Sequence, residues 1–202
     1  MEKKGTILIV EDRIDEKIGH FKEILESRDY DVQFAGTLEN ANILLGANIN
    51  KLDGIILDFS FPVSDEDLSD NINDLPCGVE LLSRYKRIVQ SQGIPIVINS
   101  TAEKSLKIEK LKKIGIELDE KNNGITKPRF MQSMPIYNID NESNPLVSAT
   151  SQMVEEILKM FEERTIQRKT TEKIDADNKW KRGTTGHYNE STGKFTYYRD
   201  GD

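Results

Sequence analysis

Three short apolar runs, each stopped by an acid or a hydroxyl, limit what this chain can fold into. Gly54-Ile55-Ile56-Leu57 ends in Asp58, and Pro62 follows four residues later. Thr6-Ile7-Leu8-Ile9-Val10 ends in the acid pair Glu11 and Asp12, and Ile94-Pro95-Ile96-Val97-Ile98-Asn99 ends in Ser100 and Thr101. Runs that stay apolar through consecutive positions suit strands buried on both faces of a parallel sheet. Open sheets of that kind carry their chemistry at the carboxyl ends of the strands.

The segments between the runs supply the covering helices. Ile14, Ile18, Phe21 and Leu25 recur at helical spacing across residues 13 to 28. Asp31-Val32-Gln33-Phe34-Ala35 alternates as a strand, and Thr37 can cap a helix with Leu38, Ala41, Leu44 and Leu45 on its apolar face. With the run ending at Asp58 this makes βαβαβ, the pattern of a parallel sheet clad by helices. Gly78 opens a further helix through Val79, Leu82, Tyr85 and Val89, and Leu106, Ile108, Leu111 and Ile114 mark another that Gly115 suits as a stop. Gly124-Ile125-Thr126 then reads as a fifth strand, running into Lys127 and Pro128. The predicted fold is therefore α/β, a doubly wound five-stranded parallel sheet with a small C-terminal extension.

In such a sheet Glu11, Asp12, Asp58, Ser100 or Thr101, and Lys127 share one edge. Three carboxylates in one small site repel each other, and a divalent cation relieves the conflict. An all-oxygen site that retains waters suits Mg²⁺. A carboxylate is also a nucleophile toward phosphorus, and a cation, a lysine and a hydroxyl together neutralise the transferring group. Every residue type at the strand ends thus has a part in one reaction, phosphoryl transfer to an aspartate.

With these motifs the chain resembles the receiver domain of two-component response regulators. Ile7-Leu8-Ile9-Val10-Glu11-Asp12 is similar to the family's acid pair, and Asp58-Phe59-Ser60-Phe61-Pro62 to its phosphoacceptor motif. Cys77-Gly78-Val79-Glu80-Leu81-Leu82 resembles its helix start, Pro95 through Thr101 its hydroxyl-ended strand, and Lys127-Pro128 its lysine and cis proline. The resemblance implies the sheet order 2-1-3-4-5 and makes Asp58 the phosphoacceptor. It implies Mg²⁺ held by Asp12, Asp58 and the Ser60 carbonyl, with Glu11 acting through a bound water. Counting from Pro95 puts the switch hydroxyl on Ser100, with Thr101 its rival because Thr101-Ala102 also looks like the family's pair. Lys127 would meet the phosphoryl oxygens. The implied donor is a histidine kinase or phosphotransfer protein, and the implied output is a protein–protein contact, with a homodimer left open. A pseudo-receiver that binds a partner without phosphorylation is the alternative. A dehalogenase-type phosphatase would need an acid where Ser60 stands, so a turnover enzyme is not expected.

The chain departs from that family in several places. Residues 63 to 77 form an insertion with five acids and no base, and residues 129 to 147 form a second one. Gly124 stands where the family often has an aromatic residue. Val154, Ile157, Leu158 and Phe161 still mark the last helix of a receiver spanning residues 5 to 165. Residues 166 to 202 form the extension, a partner-docking element or a loosely ordered tail. Within it, Trp180 to Tyr198 suggest a small β-hairpin. A net charge of −7 argues against a chain that is mainly a nucleic-acid binder, so nucleic acid is not an expected partner. Cys77 is the single cysteine, which excludes an internal disulfide and a cysteine-based metal cluster. The four apolar residues before Glu11 are too few for a signal peptide or membrane span, so a cytoplasmic, membrane-free protein is expected.

Overall fold

A computed structural model describes residues 3–13, 18–69, 77–100, 104–116, 118–122, 125–128, 136–139, 151–182, 185–189 and 194–198. The chain divides into two compact units, residues 1–165 and 166–202.

The first unit opens with strand β1 (Gly5–Val10), helix α1 (Gly19–Ser27), strand β2 (Tyr30–Ala35) and helix α2 (Leu38–Asn48). The Thr37 hydroxyl accepts the Asn40 N–H at 3.3 Å, so the expected cap of α2 is in place and satisfies one open amide of the first turn. Strand β3 (Leu52–Leu57) is followed by the short helix α3 (Asp65–Ser69), which lies in the acidic insertion. Helix α4 (Cys77–Gln92), strand β4 (Ile96–Ile98) and helix α5 (Lys104–Lys113) complete the regular alternation. Gly115 takes a φ of +78° just past α5, the left-handed conformation that lets a glycine end a helix.

β2, β1, β3 and β4 lie side by side and parallel, in that order. Successive strand residues supply opposite layers, as their period of two requires. Ile7, Ile9, Ile56 and Val97 bury against Phe21 and Leu25 of α1 and against Ile157 and Phe161 of the last helix. Leu8, Val10, Ile55, Leu57, Ile96 and Ile98 bury on the other face with Leu45, Leu81, Leu82 and Leu111. Each such side chain contributes about 1.5–3 kcal/mol through its removal from water. The double burial explains why these runs are apolar throughout.

Beyond β4 the structure keeps a parallel strand in the fifth place but builds it from other residues than expected. The chain forms β5 (Leu118–Asn122), β6 (Ile125–Pro128) and β7 (Ile136–Ile139), and the sheet reads β2-β1-β3-β4-β7-β6-β5. The fifth parallel strand is β7, which lies inside the stretch read as an insertion. The strand read as fifth, Ile125–Pro128, runs antiparallel to both of its neighbours. The sequence carries a local cause. Asn122 pairs with Ile125 across Asn123-Gly124, a dipeptide favoured at two-residue hairpin turns, so β5 and β6 form a hairpin. The place beside β4 is taken instead by the next β-forming residues, Ile136 and Tyr137, which pair in parallel with Ile96 and Val97.

Helix α6 (Ser151–Arg182) begins in the first unit and ends in the second, which closes with strands β8 (Thr185–Asn189) and β9 (Lys194–Tyr198) paired as an antiparallel hairpin. No helix among the described residues is long and apolar enough to cross a membrane.

Asp53 is a buried carboxylate that the strand pattern concealed. The β1–β3 register shifts between Thr6 and Ile7, which pair with Leu52 and Gly54. Asp53 is the extra residue, fully buried, and its Oδ2 accepts the Thr6 N–H at 2.9 Å. A backbone donor stranded by the bulge thus gains a partner.

Candidate functional site

The sheet's backbone ladder aligns the residues that follow three strands. The Glu11 N–H bonds the Ala35 carbonyl, the Asp58 N–H the Val10 carbonyl, and the Asn99 N–H the Leu57 carbonyl, at 3.0, 3.0 and 2.9 Å. Each strand therefore hands its first non-strand residue to its neighbour at the same edge. Glu11, Asp12 and Asp58 meet there, with one carboxylate oxygen from each lying within 4.8 Å of the others. Glu11 and Asp58 are 0% and 3% exposed, so little water screens their mutual repulsion.

Local bonds orient these carboxylates. The Phe59 N–H donates to Asp58 Oδ1 at 2.6 Å, and the Ser60 N–H reaches the same oxygen at 3.4 Å. The Arg13 N–H donates to Glu11 Oε1 at 3.2 Å, and the Arg13 guanidinium lies 3.7 Å from Asp12 Oδ2.

The loop after Asp58 is held from two sides. The Leu38 and Glu39 amides at the start of α2 donate to the Pro62 and Val63 carbonyls at 2.9 and 3.0 Å. From the other side the Gly78 N–H of α4 bonds the Phe59 carbonyl at 3.1 Å. Phe59 and Phe61 are fully buried anchors between these contacts. Gly78 must be a glycine, because a Cβ there would overlap the Asp58 carbonyl oxygen and come within 2.8 Å of Phe59 Cα. Sequence reading recognised Gly78 as a helix start and missed this close approach, for which a glycine beside an acidic loop was the only signal.

Of the expected site residues, the structure brings Glu11, Asp12 and Asp58 together, with Ser60 in the same loop. Ser100 follows β4 at the same edge and is 4% exposed, next to the buried Asn99. Thr101 lies outside the described residues.

Lys127 is a correction. Its strand β6 is antiparallel, and Thr126, through Asn138 and Ile98, is level with Leu57. Lys127 therefore lies further from the acidic edge rather than at it, paired with Glu120. Its backbone is three strands from Asp58, about 14 Å across the sheet. No peptide bond among the described residues is cis.

A Mg²⁺-type cation fits the donor set. Three hard carboxylate oxygens are close enough to share one ion. Glu11, Asp12 and Asp58 are the side chains that could hold it.

Cys77 lies beside Gly78 and is 3% exposed. Burial pushes its thiol above the usual range, and the nearby Glu80 and Asp67 carboxylates add to that. The thiolate is the reactive form, so native protein at pH 8 should react with a disulfide reagent about tenfold or more slower than urea-unfolded protein. The native rate should keep rising with pH above the ordinary thiol range. Equal rates in the two states would contradict this burial.

No family model matches the chain, and no curated protein matches its sequence. Solved structures do match. The phosphorylated cyanobacterial phytochrome response regulator RcpA is 20% identical, over 78% of this chain and 93% of that one, with a TM-score of 0.50. The receiver domain of Francisella response regulator 1452 is 24% identical, over 54% and 76%, with a TM-score of 0.39. A two-component response regulator from Clostridium difficile is 22% identical, over 55% and 77%, with a TM-score of 0.41. The chain carries the fold of a response regulator receiver domain, with the parallel order β2-β1-β3-β4.

Proposed function

We propose that this chain is a response regulator whose Asp58 accepts a phosphoryl group from a histidine kinase or phosphotransfer protein, in a Mg²⁺-dependent reaction. The observation that carries this reading is the meeting of Glu11, Asp12 and Asp58 oxygens within 4.8 Å at the carboxyl edge of a receiver-type sheet.

In the transfer a carboxylate oxygen of Asp58 bonds to phosphorus as the bond between phosphorus and the donor nitrogen breaks. The product is an acyl phosphate, and the released imidazole keeps its electron pair. The Phe59 and Ser60 amides orient the carboxylate for this attack. Mg²⁺, when bound, supplies charge neutralisation for the equatorial phosphoryl oxygens. Ser100 offers a hydroxyl to the new group, whereas Lys127 receives no part in this reading because of its register. The added charge alters the loop that α2 and α4 hold, and a partner protein reads the change. The chain acts as a switch and not as a turnover enzyme.

Intact mass after incubation with acetyl phosphate tests the reading. The native chain should gain one phosphoryl mass only when Mg²⁺ is present, and Asp58→Asn should gain none. A native chain that binds Mg²⁺ and gains nothing would sink it, leaving a phosphorylation-independent binding module.

A further inference from the structure

The second unit holds a feature that phosphoryl acceptance does not use. The β8–β9 register pairs Gly186 with Tyr197 and Tyr188 with Phe195. Because strand residues alternate between faces, Gly186, Tyr188, Phe195 and Tyr197 share one face of the hairpin. Thr185, His187, Asn189, Lys194, Thr196 and Tyr198 share the other. Three aromatic residues are thus collected on one face, with Tyr188 directly opposite Phe195. Tyr197 lies two residues along from Phe195, about 7 Å away.

Charge is concentrated in the same stretch. Residues 179 to 198 carry four bases, Lys179, Lys181, Arg182 and Lys194, against the single acid Glu190, in a chain of net charge −7. Five of the chain's fourteen aromatic residues also fall there. Lys179, Lys181 and Arg182 occupy the last turn of α6, immediately before the hairpin.

From the shared aromatic face and this local positive charge we propose that the hairpin and the end of α6 bind single-stranded nucleic acid. Bases stack on Tyr188, Phe195 and Tyr197, and the phosphates are drawn to Lys179, Lys181 and Arg182. Stacking on aromatics is tolerant of sequence, since every base has a π-face, and cations clustered beside it track the backbone. Aromatic residues on a small sheet face bind two or three unstacked bases in this way. The acidic composition argues against nucleic acid as the main partner of the whole chain, but does not speak against one module of opposite charge.

The test uses the full chain and fluorescein-labelled oligonucleotides of twelve residues, as single-stranded RNA, single-stranded DNA and duplex DNA, read by anisotropy. Single strands should bind more tightly than duplex, and the RNA and DNA arms decide which sugar is preferred. Tyr188→Ala with Phe195→Ala should weaken single-strand binding by roughly tenfold or more. Tyr198→Ala, on the opposite face, should change it little. Lys179→Ala with Lys181→Ala should flatten the dependence of affinity on salt, a readout independent of hairpin stability. Tyr188→Phe, which keeps the ring, should restore binding to the native level. Absence of single-strand binding overturns the proposal. So does equal binding of duplex, or of poly-glutamate in place of the oligonucleotide, since charge alone would then suffice and a protein ligand would be favoured.

Discussion

Phe161→Ala is expected to cost the first unit about 3–5 kcal/mol, the range for deleting a fully buried phenylalanine. Phe161 is 0% exposed and belongs to the layer formed with Ile7, Ile9, Ile56 and Val97. Its ring lies directly over the backbone of Gly54 in β3. A Cβ at Gly54 would overlap ring carbons Cδ1 and Cε1 and lie 3.0 Å from Cζ. Helix and strand therefore fit only because one partner is large and the other has no side chain. Gly54→Ala alone should cost about 1–3 kcal/mol by overpacking. Combined with Phe161→Ala, its methyl enters the vacated space, so the double variant should lose less than the sum of the two. Urea unfolding of the four proteins measures this directly. Strict additivity would show that the ring does not depend on the glycine. Since β3 leads directly into Asp58, this pair also fixes the strand that positions that carboxylate.

Gly78→Ala should damage the site more than the fold. The added methyl meets backbone, the Asp58 carbonyl oxygen and Phe59 Cα, so no side-chain rotation relieves it. Either α4 retreats or the loop from Asp58 to Val63 moves, and the Gly78–Phe59 bond is lost in both cases. Stability should fall by about 1–3 kcal/mol. Divalent-cation affinity should fall about 10- to 100-fold, as when outer contacts that orient metal ligands are removed. Mn²⁺ titration followed by electron paramagnetic resonance reads the affinity, and thermal unfolding of the cation-free protein reads the stability. A variant that binds Mn²⁺ like the native chain would show that the loop position does not depend on this contact.

Much of this arrangement was legible without coordinates. Ile7 through Val10 and Ile55 through Leu57 are apolar at consecutive positions, which only double burial explains, and the acids after them mark the strand ends. Thr37 was readable as a cap because its hydroxyl meets an amide three residues on. Lys127 was misplaced because a lysine and a proline after a short β-forming run look the same in a parallel strand and in a hairpin. The Asn123-Gly124 dipeptide favoured the hairpin, but it lay within a stretch that already matched an expected order.

What the chain alone determined is what local periodicity and short-range bonding encode: the strands, most helices and the acids at the strand ends. Tertiary structure decided which strand lies beside β4, that Asp53 fills a bulge, and that Gly54 and Gly78 must lack side chains. Those outcomes depend on residues distant in sequence competing for the same neighbour or the same volume. Phe161 excludes a methyl at Gly54 from 107 residues away, and no window along the chain contains both.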